Sequence, residues 1–278
     1  MKKIIRIIPI LDIKNGYLIK GINLEGLRIL GKPNKFIKYY YNEGADEIIY
    51  ADNIATLYGI PVKKEHVKSA IQNIFIPFCV GGGIKSMTDI EKMLTSGADK
   101  IFINSALFNK KKLLQQASKT FGSSNITVRI EVININNKYY LTSHNGRNIV
   151  NKNPIDWAKK CQDSGAGEIL LTSVNNEGLK NGFDIKINEE ISSKLQIPVI
   201  AHGGAGNFNH IYDLISKTNI SGVCVASLFH YDSVLKLKEK INFGNTDYLD
   251  ETLKNNYKPK NNLRKLKLFL KKNNINVR

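Results

Sequence analysis

The chain has 278 residues, 42% hydrophobic and 23% charged, enough for one large domain or two small ones with an ordinary globular core. No apolar run reaches the ~20 residues of a membrane span; the apolar start MKKIIRIIPILDIKNG is cut by Arg6 and Asp12 with no small-residue cleavage site after it, so a cytoplasmic protein is expected. Three scattered cysteines and five scattered histidines argue against a disulfide framework and a metal cluster, and the formal charge of +17 suggests an anionic partner, although the lysines are spread as a Lys/Asn/Ile-rich composition alone would place them.

In chain order, the β-branched run IIRIIPILDI (4–13) predicts a first strand, followed by a long loop or small hairpin at 17–33. PNKFIKYYYNEG then predicts a helix, and EIIYAD (47–52) and IFIPFCV (74–80) two strands. MTDIEKMLTSG is a helix closed by glycine, before KIFIN (100–104) and ITVRIEV (126–132). Residues 136–152 alternate in polarity around HNG, a hairpin turn signal. The helix PIDWAKKCQDSG and the strands EILLTS (168–173), IPVIAH (197–202) and GVCVAS (222–227) follow. Residues 243–262 are polar and Asn/Lys-rich, a predicted surface insertion. After Glu251 the chain holds nine Lys or Arg and no acid, and Leu263, Leu266, Phe269 and Leu270 keep helical spacing. Residues 263–278 are therefore predicted to dock as a helix and tail, with most of those cations outside.

Eight strand–helix units within residues 1–242 predict an α/β fold, a single (β/α)8 barrel. An open doubly wound sheet would also use continuous apolar strands, so an internal repeat helps to decide. IPFCVGGG (76–83) and IPVIAHGG (197–204) match at an offset of 121, and INSALF (103–108) and VASLFH (225–230) at 122. IPILDIKN (8–15) and VRIEVINI (128–135) match approximately at 120. The barrel is thus expected to consist of two repeated half-barrels, with Asp12 and Glu131 ending opposed strands at one mouth.

Glycine-bearing loops follow the third, sixth and seventh strands, GGGI (81–84), NEG (176–178) and GGAG (203–206), and short serine-bearing turns follow the fourth and eighth, NSA (104–106) and ASL (226–228). Glycines let backbone N–H groups approach a phosphate. Two repeat-related pairs predict two phosphate sites across the mouth, and hence a ligand phosphorylated at both ends. A carboxylate in the middle of TVRIEVINI is costly unless paired or solvated, and Asp12 with Glu131 suits general acid/base chemistry. The plain alternative is a structural polar layer in which each acid is tied to a lysine such as Lys14 or Lys20. Asp52, at the end of the second strand, is a weaker candidate and a support. Arg6, Glu47, Lys100 and Glu168 begin strands on the opposite face and could ring the barrel bottom; on pattern alone, ordinary strand-end solvation is the favoured account.

RIIPILDIKNGYLIKG, GADEIIYAD, VGGGI, SGADKIFINSA, FGSSNITVRIE, GAGEILLTS and GGAG resemble the cyclase subunit of imidazole glycerol phosphate synthase over about residues 1–235, and again at LKKNNINVR. The resemblance implies a lyase subunit of histidine biosynthesis. It would convert a bis-phosphorylated ribotide to imidazole glycerol phosphate and an aminoimidazole carboxamide ribotide. Ammonia would come from a class I glutaminase partner on the N-terminal barrel face, in a heterodimer, with no metal or other cofactor. It implies Asp12 as catalytic acid/base, with Glu131 at the second catalytic position. Gly83, Asn104 and Ser105 would hold one phosphate; Gly178, Gly204, Ala226 and Ser227 the other. Arg6, Glu47, Lys100 and Glu168 would form the ammonia gate.

Departures from the family pattern cluster around the substrate. Glu131 stands where the family has aspartate; one methylene moves a carboxyl by about 1 Å, which can cost on the order of 10²-fold. Glu177 is lengthened likewise, Leu179 replaces threonine, Ile22 and Ile54 replace hydroxyl residues, and His202 replaces serine. LIKGINLEGLRILGKP and YADNIATLYG also resemble a divergent branch that accompanies surface-polysaccharide genes. That branch is implicated in acetamidino-sugar (amidine) formation with glutaminase ammonia, and a glutamate at the fifth strand fits it. A non-catalytic, partner-activating barrel and a phosphosugar isomerase of the same repeated fold remain open. A basic C-terminal surface at 254–278 that binds anions is a further alternative, but no nucleic-acid motif or aromatic–basic interleaving accompanies it, so neither nucleic acid nor membrane is an expected partner.

Overall fold

In the computed structural model, which describes residues 3–22, 25–58, 62–110, 112–237 and 261–278, the β-branched runs become strands of one sheet. They are β1 (Arg6–Lys14), β2 (Tyr17–Ile22), β3 (Glu25–Gly31), β4 (Ile48–Asp52), β5 (Phe78–Gly81), β6 (Lys100–Ile103), β7 (Ile126–Ile135), β8 (Lys138–Ser143), β9 (Asn148–Val150), β10 (Glu168–Ser173), β11 (Val199–His202) and β12 (Gly222–Val225). Eight of them pair in parallel in the order β1–β4–β5–β6–β7–β10–β11–β12, and β12 returns to β1. The ring is closed: this is a (β/α)8 barrel.

Both faces of these strands are buried, which is why they read as continuous apolar runs. Alternate side chains divide between two cores. Ile8, Ile10, Ile49, Cys79, Leu170 and Ile200 fill the barrel interior, while Ile7, Leu11, Tyr50, Val128 and Ile169 pack outward against helices. Burying each large side chain stabilises by roughly 1.5–3 kcal/mol as an upper figure. The third and seventh predicted strands start later than their apolar runs, at Phe78 and Val199. Pro77 and Pro198 precede them, and proline has no N–H to give to a ladder. All three cysteines are buried and free.

The outer layer includes α1 (Pro33–Asn42), α2 (Ala55–Tyr58), α3 (Lys64–Ala70), α4 (Met87–Leu94), α5 (Ala106–Asn109), α6 (Leu113–Phe121), α7 (Pro154–Asp163), α8 (Ile185–Ser192), α9 (Phe208–Lys217) and α10 (Ser227–Leu237). Ser86, Asn153, Asp184 and Asn207 cap α4, α7, α8 and α9 by accepting first-turn N–H groups. None of the described helices is long and apolar enough to cross a membrane.

The two halves repeat in one further respect. β1 turns into the antiparallel hairpin β2–β3, and β7 into β8–β9. Asn15–Gly16 and Asn136–Asn137 make the turns with positive φ at both residues, the geometry of two-residue hairpin loops. HNG makes the second turn of the longer excursion, between β8 and β9.

Residues 238–260, hence nearly all of the 243–262 insertion, lie outside the described residues. A last helix, α11 (Leu263–Lys272), is capped by Asn262 and buries Leu263, Leu266 and Leu270. Phe269 packs on Phe208 with ring centroids 5.7 Å apart. The tail bridges Val277 to Ile5 beside the start of β1. Arg264 donates to the Asn42 carbonyl at 2.6 Å and Lys267 to the Gly44 carbonyl and Asp46 at 2.7 Å. Those two cations face the end of α1, whose last carbonyls attract positive charge; Arg264, Lys265, Lys271 and Lys272 are exposed.

Candidate active site

The C-terminal ends of the parallel strands meet at one mouth, where barrel enzymes carry their sites. Around the ring, β5 and β6 stand opposite β11 and β12, and β1 stands opposite β7. The repeat-related glycine loops therefore face each other, as do Asp12 and Glu131.

On the β5/β6 side a cavity of about 270 Å³ is lined by Gly83, Asn104, Ser105, Lys110, Arg129 and Glu131, among others. Gly82 has φ +117°, and a Cβ there would run into the Asp52 carbonyl oxygen, so only glycine brings the loop this close. Asp52 also lines the cavity. Its carboxylate accepts from the N–H groups of Ile54 and Ala55 at 3.2 and 3.0 Å, so it shapes the start of α2; burial pushes its carboxyl up against those hydrogen bonds. Ser105 Oγ accepts from the His144 N–H at 3.0 Å and so ties the β8–β9 turn to this loop.

On the β11/β12 side, Gly178, His202, Gly204, Ala226 and Ser227 do come together, but around only about 10 Å³. That is room for roughly one water. Gly204, at φ +112°, passes so near the Gly182 carbonyl that a Cβ there would collide with it. Glu177 lines the same pocket and is ion-paired with Lys20.

Asp12 lines neither cavity and is 2% exposed. Its carboxylate accepts from Asn53 Nδ2 at 2.7 Å and from Lys20 Nζ at 3.2 Å. Lys20 also donates to Glu177, so one ammonium serves two carboxylates. Burial alone would raise the Asp12 pKa, but Lys20 and Arg129, with the Asn53 hydrogen bond, hold it below the usual carboxylate range. Burial would lower the Lys20 pKa; its two acids outweigh that and hold it above the usual lysine range.

Glu131 is 1% exposed. Its Oε2 accepts from the Gly146 N–H at 3.2 Å and its Oε1 lies 3.4 Å from Arg129 Nε. Here burial wins: the carboxyl is raised above its ordinary value despite Arg129, Gly146, Asn104 and His144. The two acids do not touch. Between them stands Arg129, whose Nη1 donates to Asn53 Oδ1 at 3.2 Å, Asn53 being the residue that donates to Asp12.

Arg129, Asn53 and Thr172 are buried site residues that the sequence reading did not single out. Arg129 lies two residues before Glu131 in an apolar strand, so period-two alternation put both on the interior face; that signal was present. Arg129 Nε donates to Thr172 Oγ1 at 3.3 Å, and the same hydroxyl is hydrogen-bonded to His202 Nδ1, 3.2 Å away. Burial lowers His202 to about 3, so its imidazole is neutral. Arg129 Nη2 has no hydrogen-bond partner among the described residues. An unmet buried donor costs about 1–3 kcal/mol. Of the other departures, Leu179 is exposed and Ile54 is half-buried. The Ile22 side chain is outside the described residues.

At the opposite face, Arg6, Glu47, Lys100 and Glu168 form a closed ring rather than separate solvated ends. Arg6 pairs with Glu47 and Glu168 at 2.7 Å each, and Lys100 pairs with them at 3.0 and 3.1 Å. Burial raises Glu47, reinforced by the neighbouring Glu168; in Glu168, burial is outweighed by Arg6 and Lys100 and the carboxyl falls.

Comparison with known proteins places the chain. Residues 6–235 match the family model described as histidine biosynthesis protein. Three similar proteins carry the name imidazole glycerol phosphate synthase subunit HisF. That of Legionella pneumophila is 45% identical over 203 residues, 73% of this chain and 96% of its own. That of Bacillus cereus strain AH187 is 40% identical over 245 residues, 87% and 97%. That of Sulfurisphaera tokodaii is 40% identical over 234 residues, 84% and 93%. The span matched by the family model is the barrel itself, from the first residue of β1 to the last turn of α10, and over that span this chain belongs to the histidine biosynthesis protein family.

Proposed function

We infer that the chain is the cyclase subunit of an imidazole glycerol phosphate synthase, acting in histidine biosynthesis. The identity of 40–45% to subunits of that name supports this over the sugar-amidination alternative, which is not favoured. The observation that carries the chemistry is the divergence of the two buried carboxyls, Asp12 held low and Glu131 raised. Two carboxyls pushed apart by their surroundings suit a base and an acid on one substrate. Asp12, the better-stabilised anion, would take a proton; Glu131, at the wall of the larger cavity, would give one. Gly83, Asn104 and Ser105 would hold one phosphate of a bis-phosphorylated ribotide. Gly178, Gly204, Ala226 and Ser227 would hold the other, and binding there must open a space that now takes one water.

As a synthase subunit it works with a partner subunit. We propose a glutaminase, docked in a heterodimer on the face of the Arg6/Glu47/Lys100/Glu168 ring, with ammonia admitted through that ring. Exposed Ile4 and Phe75, just before the first residues of β1 and β5, offer apolar surface on that face. A cytoplasmic location accords with this pathway.

The test is turnover of the bis-phosphorylated ribotide with excess ammonium salt, followed as substrate loss. Turnover by the native chain is expected, with Asp12→Asn lowering kcat on the order of 10²–10⁴-fold. Tight binding without turnover would move the assignment to another substrate, and activity retained by Asp12→Asn would remove the acid/base role.

A further inference from the structure

Among the described residues the largest fully buried side chain is a charged one, Arg129, and it stands between the two acids. Its guanidinium engages three neighbours: Nη1 donates to Asn53, Nε donates to Thr172, and Glu131 Oε1 lies in ion-pair range 3.4 Å from Nε. It lies over the Phe102 ring, 5.8 Å from the ring centre. A planar fork with donors at fixed angles can hold such a set, and a lysine cannot.

We propose that Arg129 is a shared positioning residue: one guanidinium holds Glu131 directly and Asp12 through Asn53, so that the two acids of the site are set by one cation. Nothing in the proposal requires Arg129 to touch substrate. It deepens the cyclase reading and rests on it only for the rate measurement below.

The surroundings leave Arg129 a definite share of the control. Around Glu131 stand Arg129 on its own strand, Asn104 after β6, and His144 and the Gly146 N–H on the β8–β9 turn; Asp52, Lys85 and Lys110 line the same cavity. Around Asp12 stand Lys20 from β2, His202 from β11, His230 from α10, Asn53, and Glu177 through Lys20. Arg129 favours the ionised form of both acids. Removing it therefore raises both, and any rate that needs one acid ionised and the other protonated shifts as a whole to higher pH.

Two measurements on the full chain test this. Without substrate, the Glu131 carboxylate is followed by infrared difference spectroscopy between the native protein and Glu131→Gln, and again between Arg129→Gln and the Arg129→Gln, Glu131→Gln double variant. The expected result is a Glu131 midpoint at higher pH when Arg129 is absent; an unchanged midpoint overturns the proposal. With ribotide and ammonium, the pH profile of kcat/KM is expected to move both limbs upward in Arg129→Gln. A purely structural arginine would lower the plateau and leave the limbs in place, and that result also overturns it. Should Arg129→Gln fail to fold, Arg129→Lys serves: a single ammonium cannot reach Asn53 and Glu131 together, so at least one limb must move, and two stationary limbs overturn the proposal. Absence of turnover by the native protein would sink the cyclase reading while the infrared titration still decides the role of Arg129.

Discussion

Glu131 shows what one methylene does inside a barrel. A glutamate reaches from β7 to the Gly146 N–H and the Arg129 guanidinium together. An aspartate at the same Cα would fall about 1 Å short, and a misplacement of that size can cost on the order of 10²-fold. Glu131→Asp is therefore expected to lower kcat/KM for ribotide with ammonium by about that factor, although aspartate is the residue the family resemblance leads one to expect. A variant faster than the native chain would show that the glutamate is no part of a matched set. At this scale the sequence was partly legible. Asp12 and Glu131 were visible as acids in apolar strands, and Lys20 as a lysine near Asp12. Asn53 and Thr172 look like ordinary turn and strand residues, and their part in the network depends on neighbours far along the chain.

The elements were more legible, because each is specified locally. Asn-Gly at 15–16 signals a hairpin, and Ser86, Asn153, Asp184 and Asn207 sit where helices start. The strand starts read at Ile74 and Ile197 could have been placed after Pro77 and Pro198, because proline has no N–H to give to a ladder. The terminal helix α11 was legible as a stripe of leucines, and its docking makes a stability prediction. Leu266 is fully buried between the helix and the barrel. Leu266→Ala is expected to destabilise the fold by about 2–5 kcal/mol in denaturant unfolding, through lost burial and a residual cavity. A loss under ~0.5 kcal/mol would mean that the helix contributes little to the folded barrel.

At the scale of the whole molecule, the four-residue ring at the barrel bottom and the acids at the mouth lie at opposite ends of one interior. The ring is a closed circuit of four ion pairs, so reversing one charge leaves two like charges beside the new one. Glu168→Lys puts a third cation against Arg6 and Lys100. It is expected to reduce glutamine-dependent turnover with the partner subunit at least ~10-fold more than turnover with free ammonium. Equal loss by both routes, or none, would separate the ring from ammonia delivery. By itself the sequence determined the barrel, its two-fold repeat and the identity of most residues at the mouth, because parallel strands, capped helices and glycine turns follow from local pattern and from matches at a fixed offset. Only the tertiary structure decided how those residues are paired. Closing the ring of strands brings Arg129 between Asp12 and Glu131, joins Lys20 to Glu177, and leaves one glycine pocket open and the other filled. Those contacts link residues up to 157 positions apart, and their energies depend on burial that no single stretch of chain can express.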